Sequence, residues 1–72
     1  MAVVKVIELI AQSNESWEDA TRQALVEARK TIRNIQSIYV KEFQAIVDDR
    51  QEIAVYRVNA KISFVIDESR QP

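Results

Sequence analysis

Ala54-Val55-Tyr56-Arg57-Val58-Asn59-Ala60-Lys61-Ile62-Ser63-Phe64-Val65-Ile66-Asp67 is the stretch on which the fold turns. Ala54, Tyr56, Val58, Ala60, Ile62, Phe64 and Ile66 fall on one side of an extended chain, and Val55, Arg57, Asn59, Lys61, Ser63, Val65 and Asp67 on the other. Unbroken alternation of this kind is the pattern of a long strand with one buried and one polar face. Its length suits the middle of a sheet, so the remaining elements should flank it.

Just before it, Val47-Asp48-Asp49-Arg50-Gln51-Glu52 is a polar connection, read as a hairpin loop although it lacks the Asn-Gly or Asp-Gly of a strong hairpin signal. Residues 38–47 precede the loop and read as its partner strand. Simple alternation puts Tyr39, Phe43, Ala45 and Val47 on one face, and Ile38, Val40 and Ile46 on the other beside Glu42 and Gln44. From residue 17 to about 34, Trp17, Ala20, Ala24, Leu25, Ala28, Ile32 and Ile35 recur at steps of three and four, one stripe of an amphipathic helix. Ser13 or Ser16 caps it, Glu15, Glu18 and Asp19 sit near its positive end, and Arg29, Lys30 and Arg33 sit near its negative end. Its three alanines allow a sheet to approach closely. At the start of the chain, residues 3–10 form a strand apolar on both faces: Val3, Ile7 and Leu9 on one, Val4, Val6 and Ile10 on the other.

The order is strand, helix, strand, strand. The helix returns the chain along the sheet, so the first two strands run the same way and the third, placed between them, runs opposite to both. The expectation is an α+β fold, a three-stranded antiparallel sheet wrapped on one helix, in a single domain over residues 1–72 with a frayed tail at 68–72. One helix covers only one sheet face, so Val4, Val6 and Ile10, or else their opposites on the other face, require burial between subunits.

The whole chain has 72 residues, 47% hydrophobic and 29% charged, with ten Lys plus Arg against eleven Asp plus Glu. A net charge of −1 disfavours a dedicated nucleic-acid or polybasic membrane protein. No apolar run approaches the ~18 residues of a membrane span, and the N-terminus lacks the features of a secretory signal, so the cytoplasm is the default location. The absence of Cys and His excludes disulfides, thiol chemistry, imidazole bases and the usual zinc sites, and the absence of Gly excludes phosphate-cradling loops. With no nucleophile and base pair to identify, an enzyme is not expected. A chain this short rarely draws more than ~3 to 5 kcal/mol from its own core, which leaves oligomerisation as its means of stabilisation.

Local clusters read as ordinary surface. Asp48, Asp49 and Glu52 match no calcium-loop spacing and read as solvated charge at a hairpin tip. Arg22, Arg29 and Arg33 line one face of the expected helix, balanced by acids such as Glu18. Trp17 reads as a core or interface anchor rather than a ligand platform. Arg57 and Lys61, with Asn59 and Ser63, should line whatever surface the polar face of the central strand meets.

Val6-Ile7-Glu8-Leu9, the serine-led helix, Ala28-Arg29-Lys30-Thr31-Ile32-Arg33, Tyr39-Val40-Lys41-Glu42, Tyr56-Arg57-Val58 and Ser63-Phe64 together resemble the dodecins along nearly the whole chain. The resemblance implies this same fold, a hollow, cubic homododecamer, and sequestration of flavin without turnover. It also implies where flavin would bind, and there the residues differ. Ser37 stands where flavin-binding members carry the Trp that stacks on the isoalloxazine ring. Arg57 stands in place of a Gln that bonds the pyrimidine edge, and Gln44 in place of an Arg. Flavin is therefore not an expected cofactor. Ser16-Trp17-Glu18 resembles a run in the flavin-lacking branch that includes calcium-binding dodecin, so calcium is implied by kinship, with no ligand residues assigned. The expected function is a non-catalytic shell that sequesters a small ligand or ion, the alternatives being a flavin-storage dodecin and a purely structural assembly. The expected macromolecular partner is the chain itself.

Overall fold

The computed structural model describes residues 3–66, so the tail at 68–72 and the strand end at Asp67 lie outside the described residues. The elements follow in the expected order: β1 (Val3–Ser13), α1 (Trp17–Ala28), β2 (Ile35–Val47) and β3 (Ile53–Ile66). The sheet order is β1-β3-β2 with both pairings antiparallel, so the alternating strand is central. Val58, Ala60 and Ile62 on its helix-facing side are buried completely against Ala20, Ala24 and Ala28 of α1. With only methyl groups on that stripe, the helix axis lies close to the sheet.

β1 runs further than expected, through Gln12 and Ser13, in unbroken register with β3 from Val3↔Ile66 to Ser13↔Tyr56. Ser13 is buried and its hydroxyl serves the turn that follows: it donates to Asp19 Oδ2 at 2.7 Å and accepts from the Glu15 backbone N–H at 2.9 Å. The cap itself is Ser16, whose hydroxyl accepts from the Asp19 backbone N–H at 2.9 Å.

The helix is shorter than its apolar stripe suggests. It ends at Ala28, and the Lys30 and Thr31 backbone N–H groups bond back only three residues, to Glu27 and Ala28. The chain tightens there, passes the β-branched Thr31 and Ile32, and reverses at Asn34, whose φ is 61°. Asn is among the few residues that enter the left-handed region at small cost. Ile35, in step with the helical stripe, pairs with Phe64 in the sheet. Arg29, Lys30 and Arg33 accordingly lie beyond the helix, and of the three arginines expected on one helical face only Arg22 is helical, 3.4 Å from Glu18.

The two faces of β2 also differ from simple alternation. Val40 pairs with Ala60 but Glu42 with Asn59, which makes Lys41 the extra residue of a bulge. A bulge shifts side-chain parity by one. Ile38, Val40, Phe43 and Ala45 therefore share the helix side with Ile62, Ala60, Val58 and Tyr56, while Tyr39 joins Glu42 and Gln44 on the open side.

The hairpin closes without glycine. Asp48 Oδ1 accepts from the Arg50 and Glu52 backbone N–H groups at 2.9 and 3.1 Å, and Gln51 takes the left-handed position with φ 64°. Trp17 ties α1 to β2: its indole N–H donates to the Gln44 carbonyl oxygen at 3.0 Å, and its ring meets Phe43 and Tyr56 edge-on at centroid distances of 5.9 and 4.9 Å. The residue is an anchor, as expected, but half-buried.

Two stability predictions follow from these contacts. Because a non-glycine residue in the left-handed region costs ~1 to 2 kcal/mol, partly offset by the chain entropy of glycine, Gln51→Gly should stabilise by roughly 0.5 to 1 kcal/mol. A raised denaturation midpoint at matched protein concentration checks this. Trp17→Ala should cost about 2 to 3 kcal/mol, below the range for a fully buried Trp, whereas Trp17→Phe should cost about 1 kcal/mol, the indole hydrogen bond alone. Denaturant titration of the two variants separates ring packing from the N–H.

Candidate functional site

The helix-free face of the sheet carries the candidate chemistry. Reading across the three strands, successive rows are Val6–Ser63–Ser37, Glu8–Lys61–Tyr39, Ile10–Asn59–Glu42 and Gln12–Arg57–Gln44. Val4, Val6, Ile10 and Tyr39 are 52 to 64% exposed on this face. A polar centre thus lies within an apolar surround that no element among the described residues covers.

Arg57 is held rather than free. Its Nε and Nη2 both donate to Gln12 Oε1, at 2.8 and 2.5 Å. Fixing the guanidinium in its own plane leaves its remaining donor edge directed away from Gln12. Gln44 lies directly opposite Arg57 across the β2–β3 ladder, and the two, with Ile10, Glu42, Phe43 and Asn59, line a concavity of about 390 Å³. Asn59, one of its lining residues, has its Oδ1 buried with no hydrogen-bond donor among the described residues, an unusual state for an amide oxygen.

Ser37 stands apart from these two. Its hydroxyl lies 2.5 Å from that of Ser63, three rows from Arg57. Six residues along a strand correspond to ~20 Å. Within one chain the fold brings Gln44 and Arg57 together and leaves Ser37 at the other end of the face. Asn59 joins Arg57 as the sequence led one to expect, and Gln12 and Glu42 join Arg57 and Gln44 as orienting or lining groups that the sequence did not single out for this site. The signal for Gln12 was present in the period-2 pattern of β1 continued for two more residues. Glu42 shared the face of Gln44 already in simple alternation.

A long-range ion pair spans the same face. Lys41 Nζ, from the bulged position of β2, reaches Glu8 Oε2 of β1 at 3.4 Å, passing over the central strand; both side chains are half-exposed. Its free-energy contribution is small, of the order of ~0.5 kcal/mol. Lys61, in the same row as Glu8, makes no ion pair of its own among the described residues. Among those residues no three Asp or Glu side chains stand together as a metal cluster. The hairpin acids provide no such site, since Asp48 Oδ1 is engaged with two backbone N–H groups. No helix among the described residues is long and apolar enough to cross a membrane.

Comparison with known proteins gives this geometry a family. The Dodecin family model matches residues 3–67. Calcium dodecin of Mycobacterium tuberculosis is 38% identical over 64 residues, covering 89% of each chain. Dodecin of Thermus thermophilus is 33% identical over 67 residues, covering 93% of this chain and 96% of the relative. In three dimensions, a crystal structure of the T. thermophilus protein superposes with a TM-score of 0.87 at 32% identity, covering 96% of this chain and all of the other. The crystal structure of M. tuberculosis calcium dodecin, described as a calcium-chelating antigen with a novel calcium-binding site, gives 0.79 at 37% identity and 97% coverage of both chains. A strand-helix-strand-strand chain with a central β3, matched over nearly its full length in sequence and in space, belongs to the dodecin family.

Proposed function

We propose that this chain is the subunit of a hollow homododecamer whose open sheet faces hold a small ligand or ion, without the aromatic stack that anchors flavin in flavin-binding dodecins and without catalytic turnover. The observation that carries this reading is the uncovered face. Val4, Val6, Ile10 and Tyr39 are exposed beside the oriented Arg57–Gln12 pair and the unsatisfied Asn59 oxygen. None of the four elements among the described residues covers this surface, and copies of the chain are a fitting cover. The reading includes a cytoplasmic shell whose macromolecular partner is a further copy of the same chain.

Flavin affinity should be low for two reasons of chemistry. Ser37 offers no ring where stacking would occur. Arg57 only donates hydrogen bonds, whereas the amide it replaces both donates and accepts. Calcium is supported by likeness to the M. tuberculosis protein, with no donor set assigned here.

A purely structural shell is the second reading. It is favoured by the way the positions fill one another: Arg57 donates to Gln12, and the Ser37 and Ser63 hydroxyls bond each other.

Light scattering and native mass spectrometry at micromolar concentration should find a particle of about 100 kDa, twelve copies of the 8.3 kDa chain. A monodisperse monomer ends the shell reading. A bound small molecule retained through purification separates the ligand-holding shell from the structural one.

Titration with riboflavin, followed by flavin fluorescence, should show binding weaker than micromolar. Ser37→Trp should tighten it roughly three- to tenfold by restoring a stacking surface. Submicromolar binding by the wild type would instead establish flavin storage.

A further inference from the structure

The helix side of the sheet has an opening of its own. α1 stops at Ala28, the chain tightens over the next residues, and β2 begins at Ile35. The first register irregularity of β2 falls between Ile35 and Ser37, which makes Gln36 an extra residue and turns Ile35 and Ile38 to the same side, in the rows of Phe64 and Ile62. Those two isoleucines, with Leu25 from the last turn of α1 and Ile32 from the tightened segment, line a groove of about 410 Å³. All four are half-buried, so each keeps apolar surface facing solvent. No aromatic ring stands among the described residues of the lining. Such walls suit a flexible aliphatic chain better than a flat ring.

Arg29 is the one charged residue of that lining, and it is exposed. Arg22 and Lys30 each meet a carboxylate of α1, Glu18 at 3.4 Å and Glu27 at 2.7 Å, whereas Arg29 makes no ion pair among the described residues. Nor is the guanidinium needed at the negative end of the helix. The Leu25, Glu27 and Ala28 carbonyl oxygens already accept the backbone N–H groups of Arg29, Lys30, Thr31 and Ile32. A guanidinium offers a fork of donors with no acceptor, the geometry that matches a carboxylate. A concavity within the ~300 to 1,000 Å³ range, mostly apolar and with few polar groups to fix orientation, is the usual form of a small-molecule site.

We propose that this groove binds a linear aliphatic carboxylate, its chain laid against Leu25, Ile32, Ile35 and Ile38 and its headgroup on Arg29. The site lies on the helix side at the outer margin of β2, and it does not depend on what the open face holds.

The test uses the assembled wild-type protein with octanoate, hexanoate and octan-1-ol as probes, read by calorimetry or ligand-observed NMR. Octanoate should bind saturably and roughly four- to tenfold more tightly than hexanoate, because two more methylenes leave water. It should also bind about threefold or more tightly than octan-1-ol, which has the same chain and no charge. Arg29→Gln, a change at an exposed position, should bring octanoate to the level of the alcohol and leave the alcohol within about twofold. Ile32→Ser, between α1 and β2, should weaken octanoate and octan-1-ol alike by about threefold or more. The Arg29→Gln comparison decides the matter by itself if the serine variant does not assemble. No saturable octanoate binding, equal affinity for octanoate and hexanoate or for octanoate and the alcohol, or wild-type octanoate affinity in either assembled variant would each overturn the assignment.

Discussion

One helix cannot cover two faces of a sheet, and most of this molecule is arranged around that geometric fact. The methyl stripe of Ala20, Ala24 and Ala28 brings α1 down on Val58, Ala60 and Ile62, giving a core with little volume but close contact. Larger residues on the stripe would lift the helix and withdraw the Trp17 indole from the Gln44 carbonyl that it holds. The thinness of the core is thus tied to the register between helix and β2. It also means that the free energy available to one chain is small, and the remaining apolar area sits on the opposite face, where association with another surface can recover it.

Much of the fold was legible because the two signals that define it are local and regular. Period-2 alternation in β3 identified the central strand, and three- and four-residue spacing identified the helix. The errors arose where one pattern runs into another. Ile32 and Ile35 continue the helical stripe by spacing, yet the tightened turn after Ala28 and the left-handed Asn34 end the helix six residues early. In β2 the extra residue at Lys41 leaves composition unchanged and inverts the face of everything before it relative to everything after. A bulge has no compositional mark here, since the usual glycine is absent from the chain.

The site was legible only in part for the same reason. Arg57 and Asn59 were identifiable as open-face residues of β3, and Gln44 was placed beside Glu42. What could not be read was their company: Gln12 arrives from a β1 longer than its apolar run, and Tyr39 reaches the face through the bulge. The resulting surface has Arg57 and Lys61 on the middle strand, Lys41 reaching over it from β2, and carboxylates on the outer two, Glu8 beside Lys61 and Glu42 beside Asn59. Such alternation gives orientation to an incoming group more than it gives attraction.

The contrast between the two outer strands bears on the life of the chain before it finds its partners. β2 is interrupted by three register irregularities, which make its outer margin a poor template for another strand. β1 pairs with β3 through eleven rows without interruption, and its outer margin is straight, β-branched and defended only by Lys5 and Glu8. A newly made subunit therefore carries one margin receptive to indiscriminate strand addition. Productive encounter has to outrun that side reaction, so yield on synthesis or refolding becomes a race between two bimolecular processes whose outcome depends on how quickly the correct neighbours meet.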